Sequence, residues 1–162
     1  MATRILVAGI GNIFLGDDGF GSEVIRSLGD SFYRRDDVRV TDYGIGGMHL
    51  AYDLLDGWAA LVLVDALPDR GAPGALHVFE ADHETPHAAA ALDAHGIDPG
   101  AVFASLCALG GSAPRTVVVG CEVVDTTEGI GLSEPVRASV PDAVNAVRAA
   151  VAMLTGPAVQ EV

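Results

Sequence analysis

Four aspartates stand where carboxylates could act on a ligand. Asp17 and Asp18 lie side by side in Gly16-Asp-Asp-Gly19, Asp42 closes an alternating run, and Asp65 follows five consecutive apolar residues, Ala60 to Val64. One acid before Gly19 is enough to cap the helix that follows, at about 1 kcal/mol. The second is left over for another task, such as giving an oxygen to a divalent ion. An acid placed like Asp65 must, if buried, be paired, hydrogen-bonded or metal-bound, and the residues alone leave those three open. His95 adds a nitrogen donor. It sits in Asp93-Ala-His-Gly-Ile-Asp98, a turn before an apolar helix, where a neutral imidazole can serve as a ligand beside carboxylates. Two carboxylates and one histidine make a three-ligand site with open positions, suited to a divalent transition metal held partly by something else. His83 and His87 share a face only if their segment is helical, and His49 and His77 read as surface residues.

These side chains need elements to carry them. Ile5 to Gly9 is a short apolar run, the pattern of a strand covered on both faces. Phe20, Val24, Ile25 and Leu28 then recur at helical spacing, stopping at Gly29. Val38 to Asp42 predicts a second strand, and Gly44-Ile-Gly-Gly47 opens onto a helix carrying Leu50, Leu54 and Leu55. Ala60 to Val64 predicts a third strand stopping at Asp65, Ala75 to Phe79 a fourth, and Thr116 to Cys121 a fifth. Glu80 to Asp98 reads as loop or short helix, followed by a helix from Pro99 to Leu109. Ser133 and Pro135 introduce a terminal helical region with Val136, Val140, Val144, Val147 and Val151 on one face, which Pro141 should kink or restart. Alternating strands and helices predict a single α/β domain over residues 1–162, a three-layer α/β/α sandwich around a mostly parallel sheet of roughly five strands. Such sheets bind ligands beyond the C-terminal ends of their strands, where all four aspartates converge.

Composition narrows the function. In 162 residues, 22 acids against nine basic residues leave a net charge of -13, which argues against binding nucleic acid through a basic face. Mean hydropathy is high at +0.38, yet the longest uncharged run, Pro99 to Pro114, is broken by glycines and serines and falls short of the roughly 20 residues a membrane span needs. No signal peptide is visible, so a cytoplasmic location is expected. Cys107 and Cys121 lack CxxC spacing and read as core residues.

Gly9-x-Gly11 after a strand suggests a dinucleotide loop, but Phe14 stands where a third small residue belongs, and Asp42 lies too far along to serve as the ribose acid. A nucleotide-binding enzyme is therefore a minor alternative. Taken together, Gly9-Ile-Gly-Asn12, Gly16-Asp-Asp-Gly19, the Asp42-x-Gly-x-x-Gly-Met48 turn, Val64-Asp-Ala66 and His95-Gly-Ile-Asp-Pro99 resemble, in the same order, the maturation endopeptidases of [NiFe]-hydrogenases. The similarity spans nearly the whole chain.

The resemblance implies removal of a C-terminal extension from a hydrogenase large-subunit precursor after nickel insertion, with the precursor's nickel as the recognition handle. By position, Asp18, Asp65 and His95 match the family's metal-contacting residues. Asp18 stands where the family has Glu or Asp. Asp17, Asp42, Gly44, Gly46 and Gly47 are expected beside the substrate tail. Nickel supplied by the precursor is the implied metal, no permanently bound organic cofactor is expected, and a monomer docking transiently is the default. Ser22, Ser105 and Cys107 lie in helical patterns and not in nucleophile motifs, which leaves attack by water. A non-catalytic checkpoint that senses nickel loading is the alternative from another class.

Overall fold

The computed structural model describes residues 4–83 and 99–156. Its centre is a five-stranded sheet in the order β2-β1-β3-β5-β4, formed by β1 (Ile5–Ile10), β2 (Val38–Gly44), β3 (Ala60–Leu67), β4 (Leu76–Glu80) and β5 (Arg115–Glu122). The first four in that order are parallel, and β4 runs antiparallel along β5. Every residue of β1 and β3 is buried, as strands covered on both faces must be.

Alternation along the strands sorts the apolar residues into two layers. On one face Ile5, Val7, Val62, Val64, Val117 and Val119 pack against α1 (Phe20–Ser27) and the long helix α5 (Glu134–Thr155). On the other, Leu6, Ala8, Leu61, Leu63 and Val118 pack against α3 (Gly47–Leu54) and α4 (Pro99–Ala108). A short helix, α2 (Asp30–Tyr33), precedes β2. The expected three-layer architecture is therefore present. Each fully buried aliphatic or aromatic side chain contributes about 1.5–3 kcal/mol against conformational entropy.

Three expectations need correction. β3 does not stop at Asp65 but runs to Leu67, because its pairing with β5 continues through Asp65, Ala66 and Leu67. The terminal helix is not interrupted at Pro141, which lies on the exposed side of α5, where water can satisfy the carbonyl that loses its helical partner. Cys107 is exposed, because Val102, Phe103 and Leu106 already form the buried stripe of α4; Cys121 is buried. Among the described residues no helix is long and apolar enough to cross a membrane.

The chain leaves β1 toward β2 on one side and returns to β3 on the other, so the order reverses between β1 and β3. Such a switch point opens a crevice beyond the strand ends. Here α1 closes down tightly on it. A Cβ on Gly21 would lie 2.5 Å from the carbonyl oxygens of both Ile10 and Val64, and one on Gly9 would lie 2.8 Å from the Gly21 carbonyl. Both positions must be glycine for α1 to begin at this depth. Gly21→Ala is expected to destabilise the protein by about 1–3 kcal/mol through overpacking, although alanine is the better helix former by about 1 kcal/mol. Urea denaturation of the two proteins checks the sign.

Candidate active site

Between β1 and α1 the chain makes a 3-10 turn, Gly16–Gly19, that packs against β3. Asp17 and Asp18 occupy this turn, and both are buried. Their surroundings divide them. Asp17 accepts four hydrogen bonds: from the backbone N–H groups of Val124 (2.9 Å), Asp125 (3.0 Å) and Ser133 (2.7 Å), and from the Ser133 hydroxyl (2.8 Å). These bonds latch the β5–α5 loop to the turn. Ser133 consequently gives its hydroxyl to Asp17 and not to the cap of its own helix.

Asp18 is held differently. Its Oδ2 accepts the Asn12 N–H at 2.7 Å, within the loop that climbs from the end of β1. Gly11, with φ of +136°, makes that loop possible, since a Cβ there would meet the Asp18 carbonyl at 2.0 Å. The space above the strand end, where a pyrophosphate would rest in a dinucleotide loop, is thus filled by the chain's own acidic turn. Asp65 is buried in β3, one residue past Val64, whose carbonyl abuts Gly21. Its Oδ1 accepts the N–H of Ala66 at 2.8 Å. By alternation with Leu63 and Leu67 its side chain belongs to the face covered by α3 and α4. The segments bearing Asp18 and Asp65 therefore meet at the switch point. His95 lies outside the described residues; α4 begins four positions later at Pro99, on the face to which Asp65 belongs. Among the described residues no three His, Cys, Asp or Glu side chains are grouped to hold a metal ion.

Asp42 stands across β1 from this pair. Gly9 is opposite Asp42 on one side and Val64 on the other, so two strand spacings, about 10 Å, separate Asp42 from Val64. Asp42 Oδ1 accepts both the Ser22 hydroxyl (2.8 Å) and the Gly44 N–H (3.0 Å). Its Oδ2 makes no hydrogen bond among the described residues, and the residue is exposed on a cleft of about 320 Å³ shared with Asn12, Phe14, Gly44 and Ile45. Gly44 adopts a φ of +54°, and the next turn is closed by Gly46 N–H donating to the Tyr43 carbonyl at 2.8 Å. Gly46 and Gly47 shape this turn without lining the cleft. Tyr43 anchors the opposite face: its hydroxyl donates to Asp53 of α3 at 2.6 Å, and burial followed by that bond pushes its pKa above the ordinary value.

The other histidines and nucleophiles have identifiable surroundings. His49 is exposed and lies 3.6 Å from Asp53. His83 meets the Thr116 hydroxyl at 3.1 Å and stacks edge-on to Phe103, while His87 lies outside the described residues. Burial pushes the Cys121 thiol up to about 11. Sequence reasoning passed over Glu122, although it ends an apolar strand with the signal that drew attention to Asp65. It is buried and accepts from the backbone N–H groups of Arg70 (2.7 Å) and Ala72 (3.2 Å) and pairs with His77 at 2.6 Å. The His77 contact, then the Arg70 bond, hold its pKa below 4.5. Its task is to pin the β3–β4 connection.

The fold is a three-layer α/β domain with acids along the edge at its switch point. A family model described as hydrogenase maturation protease matches residues 22–150. The hydrogenase 2 maturation protease of Escherichia coli K12 is 31% identical over 153 residues, covering 91% of this chain and 90% of the relative. The coenzyme F420 hydrogenase subunit delta of Methanothermobacter thermautotrophicus is 33% identical over 148 residues, covering 87% and 90%. The solved hydrogenase maturating endopeptidase HybD from E. coli superposes with a TM-score of 0.76 at 28% identity, covering 93% of each chain. The chain belongs to the hydrogenase maturation protease family, and it is a peptidase.

The latch role of Asp17 has a measurable consequence. Asp17→Ala leaves four donors without their acceptor and is expected to cost about 2–4 kcal/mol of stability, read from urea denaturation. A loss under 0.5 kcal/mol would remove the latch.

Proposed function

We propose that the protein is the endopeptidase that removes the C-terminal extension of a nickel-loaded [NiFe]-hydrogenase large-subunit precursor. The observation that carries this reading is that the turn bearing the buried Asp18 packs against β3, the strand bearing the buried Asp65, at the switch point of a hydrogenase maturation protease fold. With His95, which lies four positions before Pro99 in the sequence, the two carboxylates would supply a two-oxygen, one-nitrogen donor set that leaves coordination positions for the precursor's own ligands. In this reading Asp18, Asp65 and His95 grip the nickel carried by the substrate. The protein then needs no organic cofactor of its own.

The tail would cross the strand ends toward Asp42. There the open Oδ2 can accept a backbone N–H from the tail, while Ser22 and the Gly44 N–H keep Oδ1 in place. Hydrolysis also needs a nucleophile and a proton for the leaving amine. Ser22 is engaged with Asp42 and Ser133 with Asp17, while Cys121 is buried with a raised thiol pKa. Water is therefore the nucleophile we favour, polarised beside the gripped cation. A cytoplasmic monomer acting on the assembling precursor completes the proposal.

Incubating purified protein with nickel-loaded precursor and measuring the mass of the large subunit tests it. Loss of the tail is expected, and Asp65→Asn is expected to slow that loss by at least about 100-fold, the scale for removing one charge-stabilising group, without unfolding. A precursor that binds but keeps its mass would favour the checkpoint reading. Full cleavage by folded Asp65→Asn would take Asp65 out of the mechanism.

A further inference from the structure

The cleft beside Asp42 does not end at Ile13. Ile13 and Ser22 also line a second depression of about 420 Å³ between α1 and the start of α5, walled by Ile130, Leu132, Val140 and Arg137. We propose that this depression is a docking surface for the same precursor, and that Arg137 receives a carboxylate from an extended, aliphatic segment of it. This rests on the protease reading above and extends it to a second contact.

The first argument is the loop carrying Ile130. Its neighbour Gly129 is tied on both sides, donating to the Phe14 carbonyl and accepting from the Gly16 N–H at 2.8 Å each, and Asp17 holds the loop before and after it. Ile130 nevertheless stands 80% exposed, and Phe14 and Ile45 across the first cleft stand 57% and 70% exposed. Large apolar side chains held in water along two adjoining depressions that share Ile13 and Ser22, one of them on a tied loop, mark a surface that another protein covers.

The second argument is charge. Acids outnumber basic residues 22 to nine in this chain, and Arg35, Arg39 and Arg115 each pair with a carboxylate within 3.3 Å. Arg137, like Arg4, Arg34 and Arg148, does not, and it alone of these four lines the depression: its guanidinium donates to the Leu132 carbonyl at 3.0 Å and meets no carboxylate within 4.0 Å among the described residues. Its neighbour in the depression, Arg26, reaches Glu23 only at 3.5 Å, on the surface. An arginine left without an acid in so acidic a protein, inside an apolar groove, is complementary to an acidic partner.

The test measures, with full-length nickel-loaded precursor, both its dissociation constant and the initial rate of tail release for wild type, Arg137→Glu, Arg137→Lys and Ile130→Ser. Arg137→Glu is expected to raise Kd and KM by about 10-fold with kcat within about 2-fold, Arg137→Lys to recover most of the loss, and added salt to weaken wild type more than Arg137→Glu. Ile130→Ser, which touches no charge, is expected to raise KM by a smaller factor. Unchanged Kd and KM in Arg137→Glu would overturn the docking proposal while leaving the protease reading intact. Arg137-dependent binding without tail release would do the reverse. A wild-type dimer in sedimentation that Ile130→Ser dissolves would assign the groove to a second copy and overturn the proposal.

Discussion

The close packing of α1 onto the ends of β1 and β3, with glycines at Gly9 and Gly21, is the constraint on which the site depends. Gly21 lies against the carbonyls of Ile10 and Val64, and Gly9 lies beneath the Gly21 carbonyl. At this depth the preceding turn has no room to lie over solvent; it is pressed into the crevice between two parallel strands. Asp18 is thereby buried next to the strand that carries Asp65. In a nucleotide-binding α/β protein, glycines at the first strand end admit a ligand phosphate. Here the same economy of side chains admits the chain's own acidic turn.

Burying carboxylates is costly unless each finds partners, and the protein meets that cost unevenly. Asp17 is surrounded by donors from the β5–α5 loop, and Glu122 by donors from the β3–β4 connection. These two acids hold loops. Asp42 has one oxygen engaged and one open to a cleft. Asp18 and Asp65, each given a backbone N–H at the switch point, belong to the part of the fold where α/β proteins do their chemistry. Burial alone does not sort these acids, since Asp17, Asp18, Asp65 and Glu122 are all buried and Asp42 is exposed.

Much of this was legible before any coordinates. Strands buried on both faces require unbroken apolar runs, so β1, β3 and β5 are legible, and the acids following β1, β2 and β3 point to one edge. The failures have physical causes. Asp17 and Asp18 are adjacent and chemically identical, and what tells them apart is a loop more than a hundred residues away, across contacts that local pattern cannot report. Polarity at Asp65 suggests the end of β3, whereas pairing with β5 carries the strand on to Leu67. Glu122 bore the same mark as Asp65 and differs only in having a neighbouring loop fold over it.

The central claim is that Asp18, Asp65 and His95 share one cation at the switch point. Anomalous diffraction from crystals soaked in nickel tests it most directly. The account predicts a single strong site, with an oxygen of Asp18, an oxygen of Asp65 and a ring nitrogen of His95 each at about 2.0–2.3 Å and the remaining positions open. Metal bound elsewhere, or bound there without either aspartate, would contradict it.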